Sequence, residues 1–117
     1  MKITAFVNFY SGRPNPSWIL DDAKVFILRN KVQSLKKVKP QPFPVRAGYN
    51  GFTLLQDGSI SDLPTLIQVS DGTVILYKDP NERTYREDSQ GLETWLKCLA
   101  VEQELGKYLD GRARMIP

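Results

Sequence analysis

The first ten residues of the chain alternate between apolar and other side chains. Ile3, Ala5, Val7 and Phe9 fall at every second residue, while Phe6 lies on the other face. In a β-strand this spacing places side chains on one face, so residues 2 to 10 predict a strand with one buried face. A second strand is predicted over residues 48–55, where a glycine-rich turn signal precedes an apolar run and Asp57-Gly58 closes it.

The clearest local signal is a pair of β-branched runs around Asp71-Gly72. The runs cover residues 66–70 and 73–77. An Asp-Gly pair tolerates the positive φ angles of a type I′ turn, so this segment predicts a β-hairpin. The following segment, residues 78–88, is polar and predicts a loop, in which residues 83–85 could add a short edge strand.

Apolar residues at helical spacing predict two helices. The first covers about residues 22–36, can be capped by Asp21 or Asp22, and carries the stripe Val25, Leu28, Val32 and Leu35. The second runs from 91 to 109 with a bend or break near Gly106, has Ser89 as its candidate N-cap, and carries the stripe Leu92, Trp95, Leu96 and Leu99. Cys98 lies in this apolar run, so we expect a buried thiol.

These elements predict the α+β class in a single domain, residues 1–117. We expect a mainly antiparallel sheet that includes the Asp-Gly hairpin, with the two helices packed on one face. Prolines and lysines over residues 36–47 predict an extended connection within the domain. Residues 111–117 predict a flexible tail.

Composition narrows the classes of function. The chain has 117 residues, 41% of them hydrophobic, with one Cys and no His. The lack of His excludes His-based triads and His-ligated metals, and one Cys without His excludes the common zinc patterns, so we predict no metal and no cofactor. The N-terminal residues lack a secretory signal and no apolar run approaches a membrane span, so the expected location is cytoplasmic, without membrane association.

Charge is distributed unevenly along the chain. Residues 24–46 carry seven basic residues and no acidic one, whereas residues 57–110 carry 11 acidic and 5 basic residues. The basic residues are Lys24, Arg29, Lys31, Lys36, Lys37, Lys39 and Arg46. Such a stretch can attract an anionic ligand or an acidic protein, although it can also be the solvated side of a helix and its exit. Nucleic acid is a weaker expectation, because only Phe43 and Tyr49 are aromatic residues close to the stretch.

The segment from Ser11 to Trp18 predicts a stiff loop. Pro14 and Pro16 fix backbone angles, which leaves Arg13, Asn15 and Trp18 as groups that the loop could present to a partner. The alternative is structural: Arg13 could pair with a carboxylate, and Asn15 could stabilise its own turn.

No catalytic residue is assigned from the sequence. The phosphate-binding loop, the nucleophile elbow and the dinucleotide fingerprint are all missing, and the acidic residues over 79–88 do not follow the EF-hand pattern. Enzymatic activity is therefore uncertain. The alternatives to a binding module are a small enzyme that uses a pocket carboxylate or lysine instead of His, and a structural subunit that self-associates; the sequence leaves the oligomeric state open.

The predicted function is a non-catalytic binding or interaction module. It would contact a protein or an anionic partner through the 11–18 loop and the basic 24–46 stretch. The residues expected to bind are Arg13, Asn15, Trp18, Lys36, Lys37, Lys39, Arg46 and Tyr49.

Four segments together carry a resemblance. They are Tyr10-Ser-Gly-Arg-Pro-Asn-Pro-Ser-Trp18, Gly48-Tyr-Asn-Gly-Phe52, Val69-Ser-Asp-Gly-Thr-Val74 and Leu92-Glu-Thr-Trp-Leu96. The combination resembles a loosely defined group of small uncharacterised proteins, over nearly the whole chain. The resemblance implies a single-domain unit, and it transfers no functional residue.

Overall fold

The structure, a computed structural model, describes residues 2–10, 14–42, 47–58, 60, 62–79 and 81–109. Over these residues the chain forms seven strands, two α-helices and one short 3-10 helix. In chain order they are β1 (Ile3–Tyr10), β2 (Ser17–Ile19), α1 (Asp22–Gln33), β3 (Lys36–Val38), β4 (Gly48–Gln56), β5 (Leu66–Ser70), β6 (Thr73–Asp79), β7 (Glu82–Glu87), α2 (Leu92–Glu102) and the 3-10 helix (Gly106–Tyr108).

All seven strands belong to one antiparallel sheet, in the order β2-β1-β4-β5-β6-β7-β3. One row of facing residues crosses six of these strands: Val7, Phe52, Val69, Val74, Arg86 and Lys37. Residues that face each other across a sheet project from the same side of it. This side is therefore apolar over β1, β4, β5 and β6, and basic where the row reaches β7 and β3.

The hydrophobic core lies on the side of the sheet defined by that row. Phe52, Val69 and Val74 have no exposed surface. They belong to one cluster with buried residues of both helices, among them Leu28 of α1 and Leu96 of α2. The predicted α+β class with an antiparallel sheet is confirmed, in one compact domain. Both helices contribute side chains to this cluster, as expected for two helices packed on one face of the sheet.

The Asp-Gly hairpin is confirmed as β5 and β6. Asp71 and Gly72 have φ angles of 49° and 82°, so both central residues of the turn take the positive values of a type I′ turn. Ser70 and Thr73 face each other directly beside the turn. The alternating apolar residues of β1 are buried as predicted.

The last two strands of the sheet differ from the prediction. Residues 82–87 form a full strand that pairs on both sides, with β6 and with β3, although the sequence predicted a loop with a possible edge strand. Residues 36–38, expected within an extended connection, form the edge strand β3. Both strands are rich in charge, so hydrophobic alternation does not mark them, and backbone pairing with a neighbouring strand defines them instead. Residues 39–42 have no regular structure, while 43–46 and 111–117 lie outside the described residues.

The helix ends agree with the sequence at α1 and differ at α2. The Asp21 carboxylate accepts a hydrogen bond from the Lys24 backbone N–H at 2.9 Å, which caps α1 as predicted. At α2 the Asp88 carboxylate accepts bonds from the Leu92 and Glu93 N–H groups at 2.6 and 2.8 Å, so Ser89 is not the cap. Ser89 Oγ instead accepts a bond from the backbone N–H of Lys36.

Helix α2 ends at Glu102, before the predicted break at Gly106, and the chain continues into the 3-10 helix. The expected burial of Cys98 is wrong, because the thiol is exposed. Cys98 lies two positions from both Leu96 and Ala100, and two positions correspond to about 200° around a helix, so it faces away from the buried side.

Candidate functional site

The described part of the predicted 11–18 loop supports strand β1. Asn15 Oδ1 accepts a hydrogen bond from the Phe9 N–H at 3.1 Å, and the Pro16 carbonyl accepts one from the Val7 N–H at 2.9 Å. Both bonds satisfy backbone N–H groups of β1 that lie past the residues of β1 paired with the short strand β2. Trp18 is only 8% exposed and packs edge-on against Phe52, with ring centroids 6.2 Å apart. Arg13 lies outside the described residues.

The predicted basic residues do not form a single cluster. Lys36, Lys37 and Lys39 are all exposed, but Lys36 projects from the opposite side of β3 to Lys37 and faces Glu87 of β7. Arg46 lies outside the described residues. The expected site is therefore divided: of the two lysines in β3, Lys37 projects from the side of the sheet that carries the core and Lys36 from the other side.

Tyr49 lies at the start of β4, four strands away from β3 in the sheet. Its hydroxyl donates to Glu93 of α2, its ring packs edge-on against Phe52, and Lys97 Nζ lies 5.2 Å from the ring centroid. Trp18 and Tyr49 were both expected to bind a partner. Both rings contact Phe52, and Trp18 is buried in the core. These contacts tie α2 to the sheet.

The described residues form a groove of about 770 Å³ beside Lys37. Its walls are the end of α1, the 57–65 loop (described except at residues 59 and 61), and the strands β6, β7 and β3. A volume of this size falls within the range of small-molecule sites. We call this feature the basic groove.

Apolar side chains from three separate parts of the chain line the basic groove. They are Val32 and Leu35 at the end of α1, Ile60 and Leu63 of the 57–65 loop, and Leu76 of β6. Each of the five is between 6% and 8% exposed, so each belongs to the core and still presents a small surface to the groove. A ligand with an apolar part can therefore bury further apolar surface here.

Three cations and two carboxylates also line the basic groove. The cations are Lys37, Lys78 and Arg86, and the carboxylates are Asp62 and Glu82. Over the described residues, neither carboxylate forms an ion pair with any of the three cations. Asp62 pairs instead with Arg29 of α1.

Arg86 has the least satisfied polar group in the groove. Its Nη1 atom is buried and has no hydrogen-bond partner among the described residues. Lys37 faces Arg86 directly across β3 and β7, so two positive side chains project side by side from the same face. Like charges in this arrangement repel, and a buried guanidinium nitrogen without a partner loses the hydration it had in the unfolded chain. An anion in the groove beside Lys37 and Arg86 would offset the repulsion between them.

Gln56 holds the 57–65 loop in place. Its side-chain nitrogen lies 3.0, 2.6 and 3.0 Å from the carbonyl oxygens of Ile60, Leu63 and Pro64, and its Oε1 accepts a bond from the Ile60 N–H at 3.0 Å. Gln56 is itself buried. One side chain thus satisfies the backbone groups of the loop that carries one wall of the groove.

A second contact joins the 57–65 loop to α1. Arg29 donates to the Asp62 carboxylate, which also lies 3.4 Å from Nε2 of Gln33. All three side chains are at least partly exposed, and Gln33 and Asp62 also line the groove. This contact closes the wall between the loop and the helix.

Sequence reasoning missed Lys78 and Arg86. Both lie in the acidic half of the chain, where single cations among carboxylates gave no signal of a basic site. The available signal was period two: Glu82, Thr84 and Arg86 alternate along β7 and all line the groove. It could have been used only if residues 82–87 had been recognised as a strand.

Comparisons of this chain with protein-family models, with curated proteins and with solved structures found no match. Among the described residues, no helix is long and apolar enough to cross a membrane. The same residues contain no group of three or more acidic or Cys side chains arranged to hold a metal ion.

Proposed function

We propose that this chain is a non-catalytic binding module that takes up an anionic ligand in the basic groove. The observation that carries the proposal is the direct opposition of Lys37 and Arg86, neither of which pairs with a carboxylate of the described residues. A protein gains stability from such a pair only when something else neutralises it. A bound anion supplies the missing charge.

The shape of the groove supports the same function. Concave sites with an apolar lining and a few convergent polar groups are the usual form of small-molecule sites. Here the apolar lining comes from α1, the 57–65 loop and β6, and the polar groups come from β3, β6 and β7. An arginine at such a site offers a planar fork of donors that matches a carboxylate or a phosphate group.

Of the residues expected from the sequence to bind, the proposed site includes Lys37. Lys37 stays in the binding site and is joined by Arg86 and Lys78. Asn15 and Trp18 are engaged in contacts within the domain, so the proposed contact surface moves from the 11–18 loop to the groove.

Isothermal titration calorimetry of the full chain tests the proposal with three probes: inorganic phosphate, citrate and octanoate. We expect at least one probe to bind, with an affinity that falls as salt is added, because salt screens charge interactions. Lys37→Glu and Arg86→Gln should each lower the affinity about tenfold or more, as expected for a lost hydrogen bond to a charged group. Lys37 is exposed on an edge strand, so its replacement leaves the core intact.

Lys36→Glu is the matched control, since it makes the same change of charge on the neighbouring residue of β3 but on the other side of the sheet. Its affinity should stay within about twofold of the wild type at moderate salt, where distant charges are screened. The proposal is wrong if none of the probes binds, or if Lys36→Glu weakens binding as much as Lys37→Glu.

The alternatives of an enzyme and of a self-associating subunit stay predictions from the sequence. The groove is the kind of concave apolar pocket that a small enzyme without His would also need. Turnover of the bound probe would favour the enzyme, and release of the unchanged probe favours the binding module.

A further inference from the structure

We propose that the ligand of the basic groove is a monocarboxylate with an unbranched apolar tail. Its carboxylate would lie at Lys37 and Arg86, and its tail would lie along the apolar lining between α1 and the 57–65 loop. This inference rests on the proposed function and specifies the ligand of the same site.

The lining favours an amphipathic ligand over a small inorganic anion. An ion such as phosphate needs only the cations, yet Leu35, Ile60, Leu63 and Leu76 line the same space. None of these side chains is needed to hold a charge. They give favourable contacts only to a ligand that brings apolar surface of its own, and the gain grows with the area that it buries.

The groove is elongated along β7. Glu82, Thr84 and Arg86 all line it, and they are separated by four residue steps in total. A strand rises roughly 3.3 Å per residue, so this wall is about 13 Å long. The basic pair of Lys37 and Arg86 stands at one end of that length, while Glu82 and the oppositely charged Lys78 stand at the other. A ligand with one charged end and a slender uncharged body matches this layout.

The cost of desolvation favours a monoanion over a dianion. Two cations, Lys37 and Arg86, meet at the head-group end, and one of the Arg86 nitrogens is buried. The cost of taking an ion out of water rises steeply with its charge, so a doubly charged phosphate monoester would lose more on entering such a place than a carboxylate would.

A chain-length series on the wild-type protein tests the inference without any variant. The probes are butyrate, hexanoate, octanoate and decanoate, each titrated below its critical micelle concentration and followed by calorimetry and by backbone amide chemical shifts. Each added methylene that enters the groove should raise the affinity about three- to fourfold. The gain should stop once the tail fills the groove, and the shifted amides should include those of residues 60, 63 and 76.

Two matched comparisons isolate the head group. Octanol has the same tail as octanoate and no charge, so we expect it to bind at least tenfold more weakly, and Arg86→Gln should remove most of that difference. Octyl phosphate compares a dianion with a monoanion on the same tail, and it should bind more weakly than octanoate.

Different results separate the two proposals. If anions bind through Lys37 and Arg86 but the affinity is the same for butyrate and decanoate, the groove binds anions and the inference of an apolar tail is wrong. If octyl phosphate binds more tightly than octanoate, the choice of a carboxylate is wrong. If no anion binds, or charge reversal at Lys37 has no effect, the proposed function itself fails.

Discussion

Lys37 and Arg86 face each other across strands β3 and β7 and project from the side of the sheet that carries the core. They continue a row whose other members, such as Val74 and Phe52, are fully buried. The row therefore changes from apolar to basic within one strand spacing. Up to β6 the side chains of this row are buried in the core, whereas those of β7 and β3 line the basic groove.

The unliganded protein should become more stable when this charge repulsion is removed. Directly opposed like charges are destabilising, by about 0.2–1 kcal/mol. Lys37→Gln should therefore raise the free energy of unfolding by about 0.5 kcal/mol, measured by urea denaturation at low salt. Added salt should reduce the difference, because it screens the repulsion in the wild type.

Lys36→Gln provides the control for that measurement. Lys36 faces Glu87, an opposite charge, so the same substitution there should leave the free energy of unfolding unchanged or lower it. Stabilisation by both variants would contradict the prediction, because it would point to relief of the overall positive charge of the chain.

Loss of the Gln56 side chain should destabilise the domain through the 57–65 loop. Gln56→Leu keeps the size of the residue and leaves backbone groups of Ile60, Leu63 and Pro64 without their partner. Buried polar groups left unsatisfied cost about 1–3 kcal/mol each, part of which water can recover at the loop surface. We expect a loss of about 2–4 kcal/mol in the free energy of unfolding, and faster amide hydrogen exchange at Ile60.

Gln68→Leu is the matched control for Gln56→Leu. Gln68 lies on the neighbouring strand β5 and is partly exposed, and its side chain accepts one bond, from the Tyr77 hydroxyl. Its loss should cost about 1 kcal/mol or less. Equal destabilisation by the two variants would show that Gln56 does not have the organising role assigned to it.

Gly51 should not tolerate alanine. Its φ is +82°, and a Cβ atom at this position would lie 1.9 Å from the backbone oxygen of Val69. That oxygen belongs to the paired strand β5 and cannot move without disturbing the sheet. We expect Gly51→Ala to lower the free energy of unfolding by about 3 kcal/mol or more, since backbone strain and steric overlap add.

Gly72→Ala separates the two contributions. Gly72 has the same φ of +82°, in the turn between β5 and β6, but a Cβ atom there would meet nothing within 4 Å. Only the backbone strain remains, so this variant should lose about 1 kcal/mol. If both variants lose the same amount, the close approach of Gly51 to Val69 has no energetic weight.

Asp88 should contribute more than Ser89 to the stability of α2. The carboxylate of Asp88 accepts bonds from two N–H groups of the first turn, while Gly91 has no side chain to cap the helix. Asp88→Ala should cost about 1–2 kcal/mol in thermal or urea unfolding. Ser89→Ala removes one bond to an exposed part of β3 and should cost less; the opposite ranking would restore Ser89 as the cap that the sequence predicted.

Much of the fold could be predicted from local pattern. Alternation identified β1, the Asp-Gly pair identified the β5–β6 hairpin, and helical spacing identified both helices. Each of these signals depends on residues close in sequence, whose effect on the backbone is local. Strand β7 had no such signal, because both of its sides are largely polar, so apolar and polar residues do not alternate along it.

The candidate site could be predicted only in part, for a related reason. Lys37 was expected to bind because it belongs to a run of basic residues. Arg86 and Lys78 come from strands that are distant in sequence, and the antiparallel pairing of β3, β7 and β6 brings them to the same groove as Lys37. Trp18, expected on a presented surface, became part of the core because β2 pairs with β1 and turns its indole toward Phe52.

The sequence by itself determined the α+β class, the hairpin, the helical stripes and the presence of a basic stretch, because periodicity, turn residues and composition act over short distances along the chain. Only the tertiary structure decided which cations share a groove, which aromatic residues are buried and where Cys98 points. Those properties depend on the order and register of the strands, and a shift of register by one residue would move Arg86 to the opposite side of the sheet from Lys37 and abolish the proposed site.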